Sequence, residues 1–247
     1  MNKFVKKIKK SFFPNEPKLA LPDKYKFYAI SKEQNWNFNK KNNYEKFLGD
    51  YVRYFLPFVL ETRAQYGSGT KPLKILDFGC GWGPMAIALK IYQDTTCRTI
   101  QYYGVDVMVD AINFLSNRFQ EAQNFSFFHN DVSDDVSYIL KSQIDNCTSK
   151  HSDGSETKFE TLIPETINVQ WSSSVFTHLT ENGALEALNS IAKLSDKNAI
   201  QINTWLVIDD LSILSLSTGQ CDRVLPFDNG AYLTNSKENP LNCTAFK

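Results

Sequence analysis

Five apolar runs of strand length punctuate the chain: Lys74 to Phe78, Gln101 to Val107, Phe125 to His129, Ile167 to Trp171 and Ala199 to Ile208. In the first, Ile75 and Leu76 are consecutive and both apolar, as in a strand buried on both faces of a parallel sheet. Met85 to Ile91 predicts a helix between the first two runs, and another helix is predicted to begin near Asp110. Strand, helix and strand in that order form β-α-β units, so the pattern predicts an α/β fold. Upstream, Tyr44, Phe47, Leu48, Tyr51, Val52, Phe55 and Phe58 or Val59 make an apolar stripe at helical spacing across residues 43–65, with Pro57 expected to kink or restart the helix. Lys141 to Thr166 is rich in Ser, Thr, Asp and Lys and reads as an inserted mobile loop. After residue 208 the pattern weakens: Leu211 to Ser217 and Asn242 to Phe246 are apolar, with a stretch punctuated by Gly, Asn and Pro between them.

The turn after the first strand concentrates the candidate chemistry, because Gly79, Gly81 and Gly83 fall within five residues. Glycine takes positive backbone dihedrals at little steric cost and lets another molecule touch the main chain, so the spacing points to a loop shaped for ligand contact. Pro84 suits the first turn of the helix that follows. Counted as G-x-G-x-x-G from Gly79, Pro84 stands where a dinucleotide fingerprint has its third glycine, which disfavours a pyrophosphate site. Asp77 at the head of the turn would repel a phosphate and attract an ammonium group, so a cationic amino-acid ligand fits better. The segment Asp77-Phe-Gly-Cys-Gly-Trp-Gly83 resembles the first motif of the class I S-adenosylmethionine-dependent methyltransferases. That resemblance implies S-adenosyl-L-methionine as cofactor, with Asp77, Gly79, Cys80, Gly81 and Gly83 at its methionine end. The alternative is a Gly-rich turn that only links strand to helix, with Cys80 as a small side chain filling it.

Asp106, at the tip of the second strand, is placed to bind two ribose hydroxyls. The resemblance gives it that role and puts Val107 and Met108 close to the adenine; a solvated acid or a cap for the helix near Asp110 is the competing reading. Asn130-Asp131-Val132 resembles the family's adenine-edge motif, in which Asp131 would accept from the exocyclic amine and the Val132 N–H would serve a ring nitrogen. Asp131, Ser133 and Asp134 also suit helix capping. Ser172-Ser-Ser-Val-Phe-Thr-His-Leu179 resembles the S-x-S-V-F-x-H-L segment of small-molecule methyltransferases. Ligands of open α/β sheets sit beyond the carboxyl ends of the strands, so Trp171 to His178, Ser172 included, is expected to face the sulfonium methyl or the methionine arm. His178 is the catalytic candidate, since an imidazole titrates near neutrality and can take a proton from a hydroxyl. An orienting role in its loop is the competing reading. Neither an N/D-P-P-Y/F sequence, which suits amino-group methylation of nucleobases, nor paired Asp and Asn ligands for magnesium occur there, so metal-independent in-line transfer is expected.

Composition adds bounds. The 247 residues, 42% hydrophobic, can bury a substantial core, and the motif order argues for one domain. The 27 basic and 27 acidic side chains cancel, leaving no chain-wide footprint for nucleic acid. Five cysteines, at 80, 97, 147, 221 and 243, show no C-x-x-C spacing, which argues against a disulfide framework or a zinc site and fits a reducing cytoplasm. The first ten residues carry five lysines and no acid, which suits either a disordered basic tail or a membrane-surface helix at the inner face.

The expected division is a basic arm at 1–22, a helical cap at 23–70, a core at 71–210 and an irregular extension at 211–247. Tyr28, Trp36 and Phe38 lie in the cap, which resembles those that cover the site in many such enzymes, and aromatic faces there suit sugar rings or packing alike. The resemblance implies a Rossmann-like class I fold, its mostly parallel sheet in the order 3-2-1-4-5 between helices. After residue 208 the chain departs from the family pattern, so a carboxyl end shortened relative to the family is expected, with a small extra β element and an edge to be covered by a loop, a terminal segment or a second copy in a homodimer. The function expected is O-methylation of a small molecule or sugar, in surface-glycan assembly. The alternatives are a noncatalytic methyltransferase-like cofactor-binding or scaffold subunit and, disfavoured by Asp77 and Pro84, an NAD-dependent oxidoreductase.

Overall fold

The computed structural model describes residues 48, 51–57, 60, 72–130, 162–164, 166–205, 227–228, 232–234 and 244–246. Strand β1 (Leu73–Phe78) lies at the centre of a five-stranded sheet with β2 (Ile100–Asp106), β3 (Phe125–His129), β4 (Ile167–Ser172) and β5 (Ser195–Asn203), in the order β3-β2-β1-β4-β5. All four pairings are parallel. Helix α1 (Pro84–Thr96) joins β1 to β2, α2 (Val109–Arg118) lies between β2 and β3, and α3 (Glu181–Leu194) joins β4 to β5. This is the Rossmann-like class I sheet order expected from the sequence.

Side chains alternate between the two faces of a strand, and here the alternation divides the core in two. Ile75, Tyr102, Phe125, Val169 and Trp171 pack with Met85, Ile87 and Leu89 of α1 and with Ile112 and Leu115 of α2. Leu76, Phe78, Tyr103 and Val105 pack with Ala184, Ile191 and Leu194 of α3. Asp77 and Asp106 belong by register to the first face, at the carboxyl ends of their strands.

The helix ends explain the spans. Pro84 occupies the first turn of α1 after Gly83 at φ 74°, and the Thr180 hydroxyl caps α3 by accepting from the Gly183 N–H at 3.1 Å. Helix α1 runs to Thr96, past the predicted Ile91, because its last turns are polar and self-supporting: Lys90 pairs with Asp94 at 2.6 Å, and the Thr95 and Thr96 hydroxyls donate to carbonyls one turn back. Strand β5 begins at Ser195, not Ala199, since the chain leaves α3 extended with the Ser195 hydroxyl bonded back to Ile191. It ends at Asn203, and Thr204 and Trp205 leave the ladder.

In the expected N-terminal helix, Tyr51–Phe55 form a π-helical turn just before Pro57. Proline has no N–H to donate to the helical ladder, and i→i+5 turns occur mostly as single widened turns within helices. At the carboxyl end, the extra β element is a three-stranded antiparallel sheet of β6 (Phe227–Asp228), β7 (Tyr232–Thr234) and β8 (Thr244–Phe246). Ala245 of β8 is fully buried, and the strand lies against the Phe176–His178 turn. The basic arm, most of the cap, Leu211 to Ser217 and nearly all of 141–166 lie outside the described residues. Among those described, no helix is long and apolar enough to cross a membrane.

Candidate functional site

The glycine turn is clamped to the tip of β2. The Gly79 and Cys80 N–H groups both donate to the Val105 carbonyl, at 2.8 and 3.0 Å, and the Gly83 N–H closes the turn on the Cys80 carbonyl at 2.9 Å. All three glycines have positive φ: 81° at Gly79, 50° at Gly81 and 74° at Gly83. A Cβ at Gly79 would stand 2.0 Å from Val175 Cγ2, so this glycine lets the segment after β4 approach the turn. One at Gly83 would stand 2.5 Å from Leu115 Cδ2, where α2 packs. Gly81 differs, since among the described residues nothing lies within 4 Å of the position its Cβ would take.

Asp106 ties this turn to the next loop. Its Oδ2 accepts from the Gly81 N–H at 2.7 Å and its Oδ1 from the Met108 N–H at 2.9 Å. A carboxylate offers about four lone-pair sites, so both oxygens keep capacity for further donors. Burial raises the Asp106 carboxyl above its ordinary value, and the amides of Met108, Gly81 and Val107 work against that rise. The His129 ring shares a hydrogen bond with the Val107 carbonyl at 3.1 Å, steadying the loop on its other side.

Asp77 sits beneath the turn, where the Tyr102 hydroxyl donates to its Oδ2 at 2.5 Å. Burial, the largest cause, pushes Asp77 up to about 7; the Tyr102 bond lowers it and the neighbouring Asp106 charge raises it. Burial likewise pushes the Cys80 thiol up, with Asp106 and Asp77 adding to the effect. Cys80 is therefore a protonated packing group at neutral pH. From the π-helical turn, Tyr51 and Phe55 pack on Trp171, with ring centroids 6.2 and 5.1 Å away, and the Tyr51 hydroxyl is hydrogen-bonded with Ser173.

The structure thus brings together Asp77, Gly79, Cys80, Gly81, Gly83, Asp106, Val107 and Met108. Ser172 is fully buried on the α3 face; its main-chain carbonyl accepts from the Thr204 N–H at 3.1 Å, and its hydroxyl finds no partner among the described residues. His178 is half-buried on the 3-10 turn after β4, its N–H donating to the Val175 carbonyl at 2.8 Å. Asp131 and Val132 lie outside the described residues. Sequence reasoning missed Tyr102 and Tyr51, and it missed the latch in which the Ser174 N–H donates to the Thr204 hydroxyl at 2.6 Å while Trp205 stacks on Phe176 at 4.3 Å.

The residues present fit an adenosyl amino acid on three counts. Clear space beside the Gly81 main chain admits close approach, an amide-held acid at the β2 tip suits vicinal hydroxyls, and an acid below the turn suits an ammonium group. Fold and turn together define a Rossmann-like α/β protein whose candidate site lies at the carboxyl ends of β1 and β2. No protein-family model matches the sequence. Solved structures similar to the chain include TehB from Haemophilus influenzae, with a TM-score of 0.39 at 16% identity over 65% of this chain and 46% of that one. The magnesium protoporphyrin IX methyltransferase ChlM from Synechocystis PCC 6803, with bound SAH, has a TM-score of 0.45 at 14% identity over 89% of this chain and 80% of that one. The DszA carbon methyltransferase has a TM-score of 0.43 at 18% identity over 75% and 42%. The chain spans less than half the length of TehB and DszA, and all three likenesses are distant.

Proposed function

We propose that the protein is an S-adenosylmethionine-dependent methyltransferase acting on a hydroxyl of a small molecule or sugar. The observation that carries the reading is the Gly81–Asp106 clamp: one carboxylate joins the glycine turn to the β2 tip, and the only turn glycine with clear space beside it lies between them. Asp106 would hold the ribose hydroxyls, with Val107 and Met108 beside the adenine. The Gly81 main chain would lie against the ligand and Asp77 near its ammonium group. When bound, the cofactor supplies a methyl group activated by sulfonium charge, so orientation does much of the work and a base matters most for a weakly acidic alcohol. His178, on the turn beyond β4, is the base this reading assigns. Trp171, with Tyr51 and Phe55 packed on it, would form an apolar wall that excludes water. Transfer without a metal and an acceptor from surface-glycan assembly belong to the same reading; serines standing after β4 in place of paired Asp and Asn ligands support the first, and the lysine arm and aromatic cap support the second.

The test is calorimetric binding of S-adenosylmethionine and S-adenosylhomocysteine to the full chain, followed by transfer of labelled methyl to candidate hydroxyl acceptors with and without a chelator. Binding followed by chelator-resistant transfer is expected. Binding without transfer to any acceptor would favour a noncatalytic subunit.

A further inference from the structure

A buried acid and a buried phenol meet directly below the glycine turn. Asp77 is 2% exposed and Tyr102 0%, and in the β1–β2 register Tyr102 stands opposite Ile75 while Gly104 stands opposite Asp77. The phenol therefore leans two residues along the sheet to reach the carboxylate. Gly104 makes the room: a Cβ there would stand 2.8 Å from Phe127, 3.1 Å from Cys80 Sγ and 3.1 Å from Tyr102 Cε1. Phe125 and Phe127 hold the ring from its other sides, with centroids at 5.3 and 5.6 Å. That packing fixes the hydroxyl oxygen 2.5 Å from Asp77 Oδ2.

We propose that Tyr102 is a positioning residue for ligand binding: its hydroxyl orients the Asp77 carboxylate and keeps it ionised beneath the glycine turn, which makes affinity for an ammonium-bearing nucleoside sensitive to pH. The inference rests on the proposed function and adds to it. Burial dominates the protonation of Asp77, and the Tyr102 bond is what opposes burial. Among the described residues, the other titratable groups facing Asp77 are the Tyr51 phenol, the Cys80 thiol and Asp106. Burial raises the phenol and the thiol, so both stay neutral near pH 7, and Asp106 alone adds a second negative charge. As pH falls through about 7, Asp77 takes up a proton and its attraction for a cation is lost. Removing the Tyr102 hydroxyl moves that loss to higher pH.

The experiment is calorimetry on the full chain with two ligands, S-adenosylhomocysteine and adenosine, from about pH 7.5 to about pH 6, where an α-amino group stays mostly protonated. Adenosine keeps the ribose assigned to Asp106 and lacks the ammonium group. One proton competing at about pH 7 weakens S-adenosylhomocysteine binding by about eightfold across this range. Adenosine binding is expected to change less than about twofold. In Tyr102→Phe the acid limb is expected to lie at higher pH, so S-adenosylhomocysteine binds at least about twofold more weakly than to wild type near pH 7, with adenosine unaffected. A level wild-type profile overturns the proposal, as does a Tyr102→Phe profile that superimposes on wild type or is weakened equally at every pH. If Tyr102→Phe does not fold, Asp77→Asn replaces it: its profile should be flat, and a retained acid limb overturns the proposal. Absence of binding by either ligand overturns the methyltransferase reading itself, and this inference with it.

Discussion

A single methyl group added at Gly81 separates a ligand cradle from a structural turn. Gly79, Gly81 and Gly83 share positive φ, so alanine at any of them bears the left-handed backbone cost of about 1–2 kcal/mol. Their surroundings set the rest. At Gly79 the new carbon would stand 2.0 Å from Val175 and at Gly83 2.5 Å from Leu115, which adds an overpacking cost of about 1–3 kcal/mol. At Gly81 it meets nothing within 4 Å among the described residues, so the backbone cost stands alone. In a protein of this size about 1–2 kcal/mol corresponds to a melting temperature lower by roughly 2–8 °C. If the clear space is where a ligand rests against the main chain, the same methyl displaces it from close contact. A loss of about 1.4 kcal/mol or more, tenfold in Kd, is then expected. Thermal melting without ligand and calorimetric titration with S-adenosylhomocysteine read the two effects separately. The expected pattern is a Gly81→Ala protein that folds and binds at least about tenfold more weakly, beside a Gly79→Ala protein whose first loss is stability. Wild-type affinity in folded Gly81→Ala would refute the reasoning and reduce the turn to a link between β1 and α1.

Asp106→Ala should weaken S-adenosylhomocysteine binding by about 1–3 kcal/mol, the scale of hydrogen bonds to a charged group, and unchanged affinity would remove Asp106 from the ribose role. Asp77→Asn should raise the melting temperature at pH 8 while weakening cofactor binding. Its carboxyl titrates at about 7 in the folded protein against an ordinary 3.8, so burial favours the protonated form. The penalty for ionising it is absent below about pH 4, grows as pH rises, and is complete above about 7, where it amounts to at most about 4 kcal/mol. A lower melting temperature for Asp77→Asn at pH 8 would contradict this. His178→Ala should reduce methyl transfer by about a hundredfold or more with cofactor affinity intact, and a parallel loss of folding would assign the residue to loop structure instead.

The parts of this molecule legible in the sequence are those whose signal is local. Phe125–His129 is a strand with the predicted limits, and the glycine turn showed itself because three glycines and a proline at fixed spacing have few other uses. Asp106 was legible as an acid at a strand tip. Its bond to the Gly81 N–H was not, because that depends on how two loops close on each other. Tyr102 reads along the chain as one more apolar strand residue; its role arises from a diagonal reach across the β1–β2 register into space left by Gly104. Tyr51 belonged to a helical stripe, and only tertiary packing sets it against Trp171. The start of β5 escaped because Ser195-Asp-Lys-Asn198 is polar and unburied, and it joins the ladder only through Ser195 opposite Ile167, before a register shift to Ile200 opposite Val169. Strands β6 and β7, of two and three residues, are too short for any periodicity to register.

The most direct test of the central claim is a calorimetric titration of the folded 247-residue chain with S-adenosylhomocysteine, run beside NAD. Saturable binding of S-adenosylhomocysteine that Asp106→Ala weakens, with no heat of binding for NAD, is the predicted result. A folded protein that ignores S-adenosylhomocysteine at about millimolar concentration, or binds NAD in its place, would contradict it.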